Sequence, residues 1–149
     1  MNDAAEQALI PDAPFWTTGT LASATGGKWV GKAPAANLPL TGVCTDNRAA
    51  APGSLFVAIR GDRHDGHDYA IKAVEAGAAV VLASRPISGL GATPMLIVED
   101  TRRALGRFAA AYRDHLCAQG AIFIAVTGSN GKTTTIRMID AVLRAAHPG

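Results

Sequence analysis

Apolar positions fall into short continuous runs and helically spaced stripes that alternate along most of the chain. The run S-L-F-V-A-I over residues 54–59 predicts a buried strand, as do A-V-V-L-A over 79–83, Met95 to Val98, and A-I-F-I-A-V over 121–126. Between them lie helical patterns. Ala70, Ala73 and Val74 share a stripe over 67–76, with Gly77 placed to end it. Behind Asp100 or Thr101 as cap, Leu105, Phe108, Ala109, Tyr112 and Leu116 recur at helical spacing over four turns, and Gly120 closes the unit. Residues 132–146 predict a helix with Ile136, Ile139 and Leu143 inward. Earlier signals are shorter: a helix within 15–24, a Gly26-Gly27 turn and a strand over 28–30. A loose stretch with Pro34, Asn37 and Pro39 precedes a strand over 41–45 and an Ala51-Pro52-Gly53 turn. Strands alternating with helices predict an α/β fold with a largely parallel sheet.

Composition sharpens this. With 48% apolar and 17% charged residues in 149, the sequence forms a core, and its abundant alanine with only 5% aromatics predicts short side chains between helices and sheet. A net charge of +2, from 14 basic and 12 acidic residues, is too weak to indicate nucleic-acid or membrane-surface binding. The longest apolar stretch, 76–83, falls far short of a membrane span. The first fourteen residues carry Asp3, Glu6 and Asp12 without a basic start, unlike a signal peptide, so a cytoplasmic setting is expected. Cys44 and Cys117 form no C-x-x-C pair and are read as small buried apolar residues.

The sharpest chemical signal is Thr127-Gly128-Ser129-Asn130-Gly131-Lys132-Thr133-Thr134, between the last apolar run and the last helix. Gly128 and Gly131 permit a tight backbone turn, and the amides from Asn130 to Thr134 would face an anion at the positive end of the helix. Lys132 can reach phosphate oxygens as a point charge, and Thr133 can offer its hydroxyl to Mg²⁺. Val126 stands where the longer G-x-x-x-x-G-K-[ST] form has glycine, so the loop is the shorter G-x-x-G-K-T.

Two polar loops flank the strand at 54–59. Thr45, Asp46, Asn47 and Arg48 precede it; Arg60, Gly61, Asp62, Arg63, His64, Asp65, Gly66, His67 and Asp68 follow. Ligands gather at carboxyl ends of parallel strands, so both loops can line one pocket, with Arg48, Arg60 and Arg63 available to a diphosphate. The competing reading makes Asp46 and Asn47 turn caps and the charged run a solvated surface. His64, Asp65, His67 and Asp68 also cluster as a metal set would, but no further ligand stands at suitable spacing.

In order, T-D-N-R, P-G-S-L-F-V-A-I-R-G, D-G-H-D-Y-A, A-G-A-A-V-V-L and V-T-G-S-N-G-K-T-T-T make the sequence from about Thr41 onward resemble the Mur ligases. These are ATP-dependent amide ligases of peptidoglycan-precursor synthesis. The resemblance implies a small N-terminal α/β substrate-binding domain, 1–99. The first strand, phosphate loop and helix of a truncated, doubly wound ATPase domain, 100–149, follow it. The helix from Thr101 would open that second part. It implies ATP held by Gly128, Ser129, Asn130, Gly131, Lys132, Thr133 and Thr134, with Lys132 and Thr133 catalytic and Mg²⁺ on the Thr133 hydroxyl. The UDP-muramoyl peptide would fall to Thr45, Asp46, Asn47, Arg48, Arg60, Gly61, Asp65, Gly66 and His67, although Asn47 replaces the family's usual serine. Ser129 favours the branch joining D-alanyl-D-alanine to UDP-N-acetylmuramoyl-tripeptide over the sister that adds diaminopimelate or lysine. A monomer is expected, inactive without the rest of the central and C-terminal domains. A non-enzymatic UDP-sugar-binding module is the rival of a different class, and a generic phosphate-loop kinase or GTPase fits the long preceding segment poorly.

Overall fold

The computed structural model describes residues 15–146. The acidic start and His147 lie outside them. Nine elements follow in order: α1 (Thr18–Thr25), β1 (Lys28–Val30), β2 (Val43–Cys44), β3 (Leu55–Val57), α2 (Ala70–Glu75), β4 (Val80–Ala83), β5 (Met95–Ile97), α3 (Thr101–Ala118) and α4 (Lys132–Ala146). The five strands form one sheet in the order β1-β5-β4-β3-β2. β2, β3, β4 and β5 run parallel, and β1 adds an antiparallel edge, pairing Trp29 with Leu96. The largely parallel α/β fold read from the sequence is therefore present.

Parallel strands covered on both faces read as continuous apolar runs, and the pleat sorts them. Leu55, Val57, Val80, Leu82 and Leu96 join Leu21 of α1 and Ala104 and Phe108 of α3 in one core. Phe56, Ala58, Val81 and Ala83 face the other way, toward Ala70 and Ala73 of α2. Small residues there let a six-residue helix sit close to the sheet, which is how the alanine-rich composition is used.

α3 lies against α1 and the sheet. An aromatic cluster seals this contact: the Phe15 ring stacks on Phe108 at 5.7 Å, and Trp16 lies 4.5 Å from Tyr112. The inward stripe is Ala104, Phe108 and Leu116; Ala109, expected inward, is exposed because it stands one position past Phe108, about 100° around the helix. The same rotation leaves Cys117 exposed beside buried Leu116, which corrects the expectation that both cysteines are buried; Cys44 is buried. Asp100 caps α3, accepting from the backbone amides of Arg102 (2.8 Å) and Arg103 (3.0 Å). Asp100→Ala should cost about 1 kcal/mol of stability, read as a lower urea midpoint, while Asp100→Asn should stay near the parent.

Two expectations fail in the last segment. Residues 121–126 join no ladder, and Ile122 is 88% exposed. A continuous apolar run becomes a strand only between neighbours that satisfy its amides and cover its faces, and no described strand lies beside this one. α4 forms, but Ile136 and Leu143 are not inward; they are 54% and 46% exposed. No helix among the described residues is long and apolar enough to cross a membrane.

Candidate functional site

A cleft of about 690 Å³ opens at the carboxyl edge of β2 and β3, lined by Thr45, Asp46, Asn47, Arg48, Ile59, His64, Gly66, Tyr69 and Lys72. The two loops expected to share a pocket do so, because β2 and β3 are parallel neighbours and both chains leave the sheet on the same side. Each loop contains a carboxylate that caps a short turn of its own backbone. Asp46 caps the short 3₁₀ turn Asn47–Ala49, accepting from the Arg48 amide at 2.9 Å, so the turn-cap reading holds alongside the pocket. The Arg48 guanidinium also grips Asp46, with Nη2 at 2.6 Å and Nε at 3.0 Å, and holds this carboxylate at about 2. The Arg48 side chain is 85% exposed, so a fork of N–H groups stands over the cleft with its charge partly matched.

In the second loop, Asp65 caps the 3₁₀ turn Gly66–Tyr69 and accepts from the His67 amide at 3.0 Å. The strand-like pairing of Arg60 with Asp65, with the Gly61 amide donating to the His64 carbonyl at 2.9 Å, folds this loop back on itself. Its flanks consequently face different spaces. His64 and Gly66 line the large cleft. Arg60 and Gly61 line a neighbouring one of about 450 Å³, with Asp62, Ser84, Glu99, Asp100, Thr101 and Arg102. Gly66 is required sterically: a Cβ there would sit 2.7 Å from the Ile59 nitrogen and 2.8 Å from its carbonyl oxygen. Of the expected substrate residues, the structure thus brings Thr45, Asp46, Asn47, Arg48 and Gly66 to one cleft. It places Arg60 and Gly61 next door, and buries His67. Arg48 is on the cleft, Arg60 and Arg63 are not, so the three arginines do not converge there.

Ile59, Tyr69 and Lys72 complete the wall without having been named as site residues, although Ile59 and Tyr69 stand within the matching motifs. Tyr69 and Lys72 are three apart where the 3₁₀ turn runs into α2, a spacing that places two side chains on one face, and this was the available signal. Among the described residues, no group of three or more His, Cys, Asp or Glu is arranged to hold a metal.

Asp65 is held at about 2, chiefly by the His67 backbone amide, with help from the His67 ring and Arg85. Its folded value lies below its ordinary 3.8, so the folded state binds fewer protons than the unfolded one. The stability from this group is complete above about pH 4 and is lost as pH falls toward about 2. Urea midpoints of the parent and Asp65→Asn should converge across that window; a gap unchanged at its acid end would contradict the assignment.

The glycine-bracketed loop adopts the conformation its sequence requires. Gly128 has φ 145° and Gly131 φ 77°, and a Cβ at Gly131 would meet nothing within 4 Å. α4 begins at Lys132, whose ammonium donates to the Gly128 carbonyl across the loop. Residues 127–135 are exposed. First-turn amides of a helix have no acceptor within it, so this bare turn fits an anionic phosphate tail, and the Thr133 hydroxyl is the hard oxygen donor that Mg²⁺ takes.

A family model described as Mur ligase family, catalytic domain, matches residues 39–113. The UDP-N-acetylmuramoyl-tripeptide–D-alanyl-D-alanine ligase of Escherichia coli K12 is 43% identical over 76% of this chain. The UDP-N-acetylmuramoyl-L-alanyl-D-glutamate–2,6-diaminopimelate ligase of Geobacillus thermodenitrificans is 41% identical over 85%. The chain spans about a quarter of the length of each, 24% and 25%. Among solved structures, the UDP-N-acetylmuramoylalanyl-D-glutamyl-2,6-diaminopimelate–D-alanyl-D-alanyl ligase of Acinetobacter baumannii superposes with a TM-score of 0.75 at 38% identity, covering 87% of this chain and 28% of that one.

Proposed function

Because the chain belongs to the Mur ligase family, we propose that it acts in an ATP-dependent amide ligase joining D-alanyl-D-alanine to UDP-N-acetylmuramoyl-tripeptide. The observation that carries this reading is the convergence of the Thr45–Asp46–Asn47–Arg48 loop and the His64–Gly66 loop on one cleft at the carboxyl edge of a parallel sheet. There the Arg48 fork and the Lys72 ammonium offer hydrogen bonds to a diphosphate, and the Tyr69 ring offers a flat apolar surface to a base.

ATP, when bound, supplies the phosphoryl group that activates the peptide's terminal carboxylate, and Mg²⁺ offsets charge on the phosphates. The chain's own part is electrostatic. Amides after Gly128 and Gly131 would donate to the phosphate tail, and Lys132 would exchange the Gly128 carbonyl for phosphate oxygens. The Thr133 hydroxyl would hold the cation. These donors are fixed by the loop before the reaction, so little reorganisation accompanies charge development.

The diaminopimelate- or lysine-adding reaction is the second reading, favoured by the 41% identity to the Geobacillus enzyme. Ser129 supports the dipeptide-adding one. The intact protein is offered ATP with either UDP-muramoyl tripeptide and D-alanyl-D-alanine, or UDP-muramoyl dipeptide and diaminopimelate or lysine, and phosphate release is followed. Turnover with the first pair supports the proposal, and turnover with the second transfers it to the sister reaction. Binding of the UDP-sugar without any ATP turnover would establish a binding module instead.

A further inference from the structure

The imidazole of His67 is 1% exposed, and both of its nitrogens are engaged inside the protein. Nε2 lies 3.0 Å from the backbone nitrogen of Ser84 and 3.1 Å from its Oγ. A backbone N–H only donates, so Nε2 accepts, and the proton of the neutral ring sits on Nδ1. Nδ1 faces Asp65 Oδ1 at 2.5 Å. Asp65 also accepts from the His67 amide and, at Oδ2, from Arg85 at 3.3 Å. One ring therefore joins the end of β4 to the start of the Gly66–Tyr69 turn.

The connection lies beyond the sheet. The last pair of the β3–β4 ladder is Val57 opposite Leu82, with the Ala58 amide donating to the Leu82 carbonyl at 2.9 Å. Beyond it the loop is attached to the β3 side by the Gly66 amide, which donates to the Ile59 carbonyl at 2.9 Å, and to the end of β4 by the buried His67 ring and the exposed Arg85 contact to Asp65. A side chain so committed has no free nitrogen for a ligand. We infer that His67 is a positioning residue rather than a substrate contact: as the Nδ1–H tautomer it clamps the loop to the end of β4 and so fixes the cleft wall made by His64, Gly66 and Tyr69. The ligand side of this inference rests on the nucleotide-sugar reading of the cleft; the clamp itself does not.

The test uses the intact protein labelled with ¹⁵N at histidine. At neutral pH, His67 should show a protonated Nδ1 and a bare Nε2; a ring protonated at Nε2, or at both nitrogens, overturns the inference. His67→Phe keeps the ring volume and removes the bonds at both nitrogens. It should raise KM for the UDP-muramoyl peptide about tenfold, through a displaced cleft wall, and leave KM for ATP unchanged. His67→Gln, whose amide oxygen can still accept from the Ser84 N–H, should recover most of that loss. A parental KM in His67→Phe refutes the clamp, and so does equal impairment of both KM values. Should the parent bind no UDP-muramoyl peptide, the functional reading fails on its own. The clamp is then decided by exchange of the Ser84 amide, expected to be slow in the parent and fast in His67→Gly or His67→Phe.

Discussion

Lys132→Ala in the intact protein should lower ATP-dependent phosphate release by about two to three orders of magnitude, the usual cost of removing one fixed donor from a site of developing charge. The loop backbone is set by Gly128 and Gly131 rather than by this side chain, so the substitution should leave the turn in place. Among the described residues the ammonium reaches only the Gly128 carbonyl, an exposed contact whose loss has little consequence for folding. The effect should therefore appear in kcat and in ATP affinity, with binding of the UDP-muramoyl peptide at the Thr45–Arg48 cleft unchanged. Lys132→Arg keeps the charge but replaces a compact ammonium with a planar fork, and should recover only part of the loss. Turnover within a fewfold of the parent would falsify the assignment of this loop to ATP.

Phe108→Ala should destabilise the α/β unit by about 3–5 kcal/mol, measured by urea unfolding of the intact protein with a probe on the sheet, such as Trp29 fluorescence. Phe108 is 1% exposed and shares its core with Leu21, Leu55, Val57 and Leu82, and its ring also carries the contacts to Phe15 and Trp16. Little can move in to fill the space, because the surrounding sheet residues are themselves fully buried. The experiment bears on organisation as well as stability. Resemblance alone divides the chain at 99/100 and assigns the helix from Thr101 to the ATPase part, whereas α3 shares a core with β3, β4 and β5. We propose that α3 folds with the substrate-binding unit. On that basis Phe108→Ala lowers the unfolding midpoint of the sheet itself; a midpoint that does not move would return α3 to the following domain.

Much of the fold was legible because its strands carry the signature of burial on both faces. The runs at 54–59, 79–83 and 95–98 each produced a strand near the expected place, shortened at the ends where the ladder stops. The same signature misled at 121–126. Continuous apolar character states that a segment needs cover on two sides, but does not supply the cover, and Ile122, Phe123 and Ile124 remain exposed. Within the site, the loops were legible by residue type, but their facing was not. Arg60 and His64 sit four apart in one polar run, yet the fold-back between Ile59 and Gly66 sends them to different clefts. His67 looked like a ligand residue for the same reason: its bond to Asp65 is local, but its bonds to Ser84 come from the end of β4, seventeen positions away.

By itself, the sequence determined the local matters: where helices can form, which runs need cover on both faces, where Asp46, Asp65 and Asp100 start turns, and that the glycine-bracketed turn before α4 can face an anion. These depend on periodicity, capping and backbone freedom, all short-range properties of the chain. Tertiary structure decided which polar groups share a space. The parallel pairing of β2 with β3 brings Arg48 beside His64 and Lys72, and the end of β4 claims the His67 ring. Such groupings arise from contacts between segments distant in sequence, whose side-chain directions are fixed only once the sheet has assembled.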